Sequence, residues 1–182
     1  MKLIKKRSLK QLLWIGIGSI IMFFAGLTSA YVVRKPQGNW VDFILPDWFL
    51  YSTIIIAISS LALIFAKIKI DNSKESSRLV FVTFLLGLMF TYFQFSGWQD
   101  LITQGVFLTG EGSNVSGSFL YVITLAHLCH LIGGLIAILI TAIKTMIGKH
   151  NSNDCLGFDL TAIYWHFVGL LWVYLFFFLK YF

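Results

Sequence analysis

The chain has 182 residues, of which 58% are hydrophobic, 17% aromatic and only 12% charged, where a soluble domain carries about 25% charged residues. A particle of this size has too much surface for its volume to hide that apolar area from water, and the mean hydropathy is +0.82, so a soluble globular enzyme and a disordered chain are both excluded. The 14 basic and 8 acidic residues, a net charge of +6, flank long apolar runs, which points to membrane orientation rather than to nucleic acid.

A membrane helix needs about 20 apolar residues, and five runs qualify in chain order. The first covers 11–33 without a charge, the second 48–66 and the third 79–99. The fourth covers about 118–143 and contains His127 and His130; the fifth covers 160–179 and contains His166. Continuous runs of this kind predict helices, because barrel strands would alternate strictly over about ten residues. The fold class is therefore an all-α polytopic membrane protein, a bundle of five transmembrane helices forming one transmembrane domain over 1–182. The connectors carry breaker signals: Pro36, Gly38 and Pro46 in 34–47, a charged stretch in 67–78, Gly and Ser in 100–117, and Gly148, Asn151, Ser152, Asn153 and Gly157 in 144–159.

Lys and Arg counts set the direction. Five lie before the first span, four in 67–78 and two in 144–159, giving 11 on one side; Arg34, Lys35 and Lys180 make 3 on the other. The positive-inside rule then puts the N-terminus in the cytoplasm and the C-terminus outside. A cleaved signal peptide ending near Thr28-Ser29-Ala30 is the rival reading. The run is longer than an ordinary signal core, continues through Tyr31-Val32-Val33, and its removal would leave four spans and break the charge alternation.

Polar side chains within apolar runs are costly and invite functional hypotheses. His127 and His130 share a helix face that continues through Gly134, Ala137 and Thr141; Asp159, Ala162, His166, Gly169 and Val173 form a similar stripe on the fifth span. Small residues let backbones approach and polar ones bond across the gap, so these two faces are expected to pack on each other or on a partner. Cys129 lies about 100° around the helix from His130, badly placed to join a site. The histidines read first as structural, hydrogen-bonded groups, with haem ligation and proton handling as the alternatives. His130 and His166 are expected at similar depths, both rings bonded inside the protein, and Asp159 is expected to cap the start of the fifth span. Trp40, Trp48, Trp98 and Tyr181 fall near span ends, where aromatic belts form, and Trp165 and Trp172 read as packing residues.

The run Tyr164-Trp165-His166-Phe167-Val168, then Trp172, with the acidic Asp159 seven positions before the histidine, resembles the last helix of cytochrome c oxidase subunit III. Ala126-His127-Leu128-Cys129-His130-Leu131-Ile132-Gly133-Gly134 is similar to that family's His-Gly-x-His-Val-x-x-Gly segment. Ser19, Met22-Phe23-Phe24-Ala25-Gly26-Leu27 and Ser29-Ala30-Tyr31 resemble its third helix, and Ser52-Thr53 with Ser59-Ser60 the next. All five spans are covered in order, which matches the short bacterial form lacking the first two helices of the seven-helix form. Two positions depart from the pattern. Ile20 stands where the family often has Glu, and Gly169 where it often has Asp. The intramembrane carboxylate of the first position is missing, and with it the basis for proton handling through that group.

The resemblance implies a non-catalytic subunit of a haem-copper terminal oxidase in a bacterial plasma membrane. Haem and copper are then expected in subunit I, electrons enter through subunit II, and this chain binds no cofactor itself. It would pack on subunit I in a complex with subunits I and II, bind phospholipid, support assembly and sustained turnover, and join a larger respiratory supercomplex; no nucleic acid is expected. The equivalent subunit of a quinol oxidase is the alternative within the same fold. A haem b anchor, with His127 or His130 paired to His166, is the alternative of another class. A small transporter fits poorly, since no inverted repeat or intramembrane carboxylate is evident.

Overall fold

A computed structural model describes residues 2–38, 40–41, 43–110, 112–147 and 155–182. Five α-helices follow one another: α1 (Lys2–Arg34), α2 (Asp47–Ile68), α3 (Ser73–Thr103), α4 (Val115–Met146) and α5 (Leu156–Tyr181). A 3-10 turn at Lys35–Gln37 follows α1, and no strand occurs among the described residues. All five helices are long and apolar enough to cross a membrane. Gly148, Lys149, Asn151, Ser152 and Asn153 of the last connector lie outside the described residues.

Each helix outruns the apolar span that the sequence marks. Helices of 22 to 33 residues rise ~33–50 Å, more than a ~30 Å hydrocarbon core, so the polar flanks continue as helix beyond it. The charged start of α3 shows how this happens. Ser76 is buried, and its hydroxyl donates to the Ala66 carbonyl near the end of α2 at 2.9 Å, which fastens the two helix ends together across a short connector.

The α3 terminus has an equally local cause. Gly105 adopts φ +78°, its N–H donates to Ile102 O, and Val106 N–H donates to Leu101 O at 2.9 Å. This pairing satisfies carbonyls that the last helical turn would leave open, and it needs a left-handed residue that glycine supplies without a Cβ clash. Val106 then turns inward: a Cβ on Gly117 would lie 2.6 Å from Val106 Cγ1, so glycine there lets α4 start against the loop.

The helices form a closed neighbourhood. α2 packs on α3, α3 on α4, α4 on α5, and α5 back on α2, while α1 lies against α4 and α5. α1 is the least enclosed: 17% of its most apolar window is buried, against 56% for α5. Large apolar side chains such as Ile15, Met22, Ile64 and Leu170 point outward, which water would not tolerate over so wide an area but lipid does. The interior is aromatic, with Phe24, Phe49, Phe90, Trp165 and Trp172 all buried.

Candidate functional site

Three tryptophans tie the bundle together, each giving its indole N–H to a hydroxyl on the next helix. Trp165 donates to Ser59 and Trp172 to Thr53, both at 3.0 Å, joining α5 to α2. Trp98 donates to Thr124 at 3.1 Å, joining α3 to α4. A buried indole N–H that lacks an acceptor is costly, so these pairs fix helix register as well as contributing area. Trp165 also fills the space that glycines open on two sides. A Cβ on Gly87 would lie 2.8 Å from its ring, and one on Gly134 would lie 3.1 Å from it.

The four sequence-marked residues fall in three different surroundings. His127 is 1% exposed; its ring lies 5.1 Å from Trp172, 6.0 Å from Phe90 and 6.4 Å from Phe24, centroid to centroid. Neither ring nitrogen has a hydrogen-bond partner among the described residues. His130 faces α1, with its ring 5.6 Å from Phe24 and 6.3 Å from Phe23. Its Nδ1 lies 2.7 Å from the Ala126 carbonyl of its own helix. That bond is to a backbone carbonyl one turn earlier in α4.

His166 lies elsewhere. It lines a cavity of about 660 Å³ together with Lys10 of α1, Leu63 and Lys67 of α2, and Asp159 and Ala162 of α5. Asp159 does not cap its helix. α5 begins earlier than the apolar run, at Leu156 behind Cys155, which puts Asp159 within the first turn. Its carboxylate pairs instead with the Lys67 ammonium of α2 at 2.8 Å.

Depth and direction separate for these residues. The Tyr164 hydroxyl, two positions before His166, donates to the His130 carbonyl at 3.0 Å, while the Thr141–Thr161 bond and the His127–Trp172 contact set α4 on α5 so that His130 lies level with about residues 169–172. The two rings also point into different spaces. The polar stripes also part company. Gly134 and Thr141 of α4 meet Trp165 and Thr161 of α5, whereas Gly169 meets Ile56 and Ser60 of α2. The α5 stripe therefore packs within the chain against α2, and the two stripes do not face each other.

This geometry does not fit a bis-histidine haem. The rings do not converge, and aromatic side chains crowd His127 where a macrocycle would have to lie. Among the described residues, no group of three or more His, Cys, Asp or Glu could hold a metal ion.

Comparison with known proteins decides the family. The family model for cytochrome c oxidase subunit III matches residues 41–182. The chain belongs to that family. A probable cytochrome c oxidase subunit 3 from Nocardia farcinica is 32% identical over 177 residues, covering 93% of this chain and 84% of the relative. The protein of the same description from Mycobacterium tuberculosis is 29% identical, with the same shares covered. A cytochrome c oxidase subunit 3 from Corynebacterium diphtheriae is 26% identical over 177 residues, covering 89% of this chain and 85% of the relative. As a subunit III family member with five apolar helices, the chain is a multi-pass membrane protein.

Within this subunit III fold, two residues matter that the sequence reading did not single out. Gln94 is buried in the third span and its Nε2 donates to Ser52 Oγ at 3.0 Å. The available signal was an amide inside a 21-residue run free of charge, five residues before the Gln99 that ends it. Lys67 was counted only as a flanking charge, yet it is the partner of Asp159. Its signal was its position at a span end, where a long cationic stem can lie along apolar surface and reach a polar head.

Proposed function

We propose that this chain serves as the non-catalytic subunit III of a bacterial haem-copper terminal oxidase, packing on subunit I in a plasma-membrane complex with subunits I and II. The observation that carries the reading is the family match over 41–182. The arrangement of the histidines is compatible with it, since they sit in separate surroundings suited to packing rather than to electron transfer. Electron transfer and oxygen chemistry then belong to the partner subunits. This chain acts by stabilising the core and keeping it turning over. The five helices act as one transmembrane domain, with the N-terminus in the cytoplasm; the 11-to-3 distribution of basic residues supports that direction.

Phospholipid binding is part of the same proposal. α1 touches α4 and α5, and the His166 cavity separates its N-terminal half from the end of α2. Apolar walls at Leu63, Ile64 and Ile163 lead to Lys10 and the Lys67–Asp159 pair at one end. An acyl chain matches such walls and a phosphate matches such a rim.

The test is removal of this chain from the assembled oxidase. The reduced-minus-oxidised haem spectrum of the remaining core should stay largely intact, while turnover decays faster or assembly yield falls. Loss of a haem signal from a fully assembled core that lacks only this chain would overturn the non-catalytic assignment.

A further inference from the structure

The contacts between helices place four polar side chains at one level of the bundle. Trp98 meets Thr124, and Gly87 faces Leu135. These two pairs fix the antiparallel register of α3 on α4 and bring Gln94 level with Leu128, one residue from His127. Gln94 bonds to Ser52 of α2, and Trp172 of α5 bonds to Thr53 of α2. Trp172 in turn lies against the His127 ring at 5.1 Å. Ser52, Gln94, His127 and Trp172 therefore form one polar layer, with each of α2 to α5 giving a member.

Two members of that layer hold polar atoms without partners among the described residues. Gln94 is 2% exposed and His127 1%, and the unpartnered atoms are Gln94 Oε1 and both His127 ring nitrogens. The amide orientation follows from the bonds around it. The Ser52 hydroxyl donates to the Phe49 carbonyl at 2.8 Å, so it can only accept from Gln94, and the amide must turn its N–H to Ser52. Its oxygen is left as a bare acceptor. His127, as a neutral ring, has one N–H to give. Acceptor and donor thus lie at the same level on adjacent helices, in a place where each would be costly alone.

We propose that this layer is a binding site for a single structural water molecule, which accepts from the His127 ring N–H and donates to Gln94 Oε1. Two polar partners are the minimum that holds a buried water. Bridged in this way, α3 and α4 gain a polar link one turn below the Trp98–Thr124 bond, and the amide keeps its bond to α2. One molecule then connects three helices in the region where lipid can offer no hydrogen bond.

The experiment is a cryo-EM map of the full chain in its native membrane complex, at a resolution that shows ordered water. A discrete peak within ~2.6–3.2 Å of both Gln94 Oε1 and a His127 ring nitrogen is the expected result. An empty layer, or a direct amide-to-imidazole bond, overturns the proposal. A thermal cycle supplies a second measurement. Gln94→Leu and His127→Leu should each lower the Tm, and the double variant should lose clearly less than the two losses added together. Additive losses overturn the link. Where His127→Leu does not accumulate, His127→Asn takes its place in the cycle with the same expectation.

Discussion

Glycine at position 87 is the sharpest test of how this bundle is packed. A methyl group added there would lie 2.6 Å from Leu135 Cδ2 and 2.8 Å from Trp165 Cη2, where carbon atoms prefer about 3.5–4.0 Å. Leu135 can rotate away. Trp165 cannot do so freely, because its N–H bond to Ser59 at 3.0 Å holds the indole. Overpacking of this kind costs about 1–3 kcal/mol, against a helix-propensity gain of about 1 kcal/mol for Gly to Ala. Gly26 on α1 is the control, since nothing lies within 4 Å of a Cβ there and only the propensity gain remains. The propensity gain is common to both Ala variants, so they should differ by the overpacking cost, about 1–3 kcal/mol in stability, or ~2–12 °C in Tm at about 2–4 °C per kcal/mol. Thermal unfolding of the purified chain in mild detergent, followed by intrinsic tryptophan fluorescence, reads the gap. Gly87→Ala melting at or above Gly26→Ala would refute the placement of Trp165 between α3 and α4.

Trp165→Phe should lower the Tm by about 2 kcal/mol equivalent, since it removes ring volume and the bond to Ser59 together; a melt indistinguishable from wild type would contradict the pinning role. Asp159→Asn should cost under about 1 kcal/mol, because the Lys67 side chain is 56% exposed and the ammonium can find water; a Tm loss beyond ~4 °C would show the pair to be shielded by something else. A cysteine at Asp71, with Cys129 and Cys155 replaced by Ser, should resist an impermeant reagent in intact cells and label after permeabilisation. Asp71 suits this assay because it is exposed, whereas Ser76 in the same connector is buried against α2.

What the sequence could tell was decided by the kind of signal each feature leaves. The five spans were legible because lipid demands long uninterrupted apolar runs, and no tertiary contact can hide them. Their true ends were not, since Ser76 extends a helix by reaching the Ala66 carbonyl and such a bond leaves no periodic trace. Helix rise predicts similar depths for His130 and His166, because rise per residue is nearly invariant. It could not say which neighbour each ring meets. That depends on which side of α4 receives α1, and Phe23 and Phe24 settle the matter only in three dimensions. Asp159 misled for a related reason. A carboxylate at the edge of an apolar run has the pattern of a cap, but the helix begins three residues earlier and Lys67 claims the charge. Gln94 left the faintest trace: one neutral side chain whose importance rests on a serine 42 positions away.

The attachment of α1 bears on how the chain is made. α1 leaves the ribosome before the other four helices, yet its neighbours are α4 and α5, which follow α2 and α3. The Tyr174 hydroxyl that donates to Thr28 lies 146 residues further along the chain, a delay of ~7–30 s at about 5–20 residues per second. Throughout that interval α1 stands in the bilayer without its Tyr174 and Phe178 contacts to α5. It must therefore be a competent membrane segment by itself. Its docking is a late step of biogenesis, open to any insertase or neighbouring subunit that can hold the helix until the final hairpin arrives.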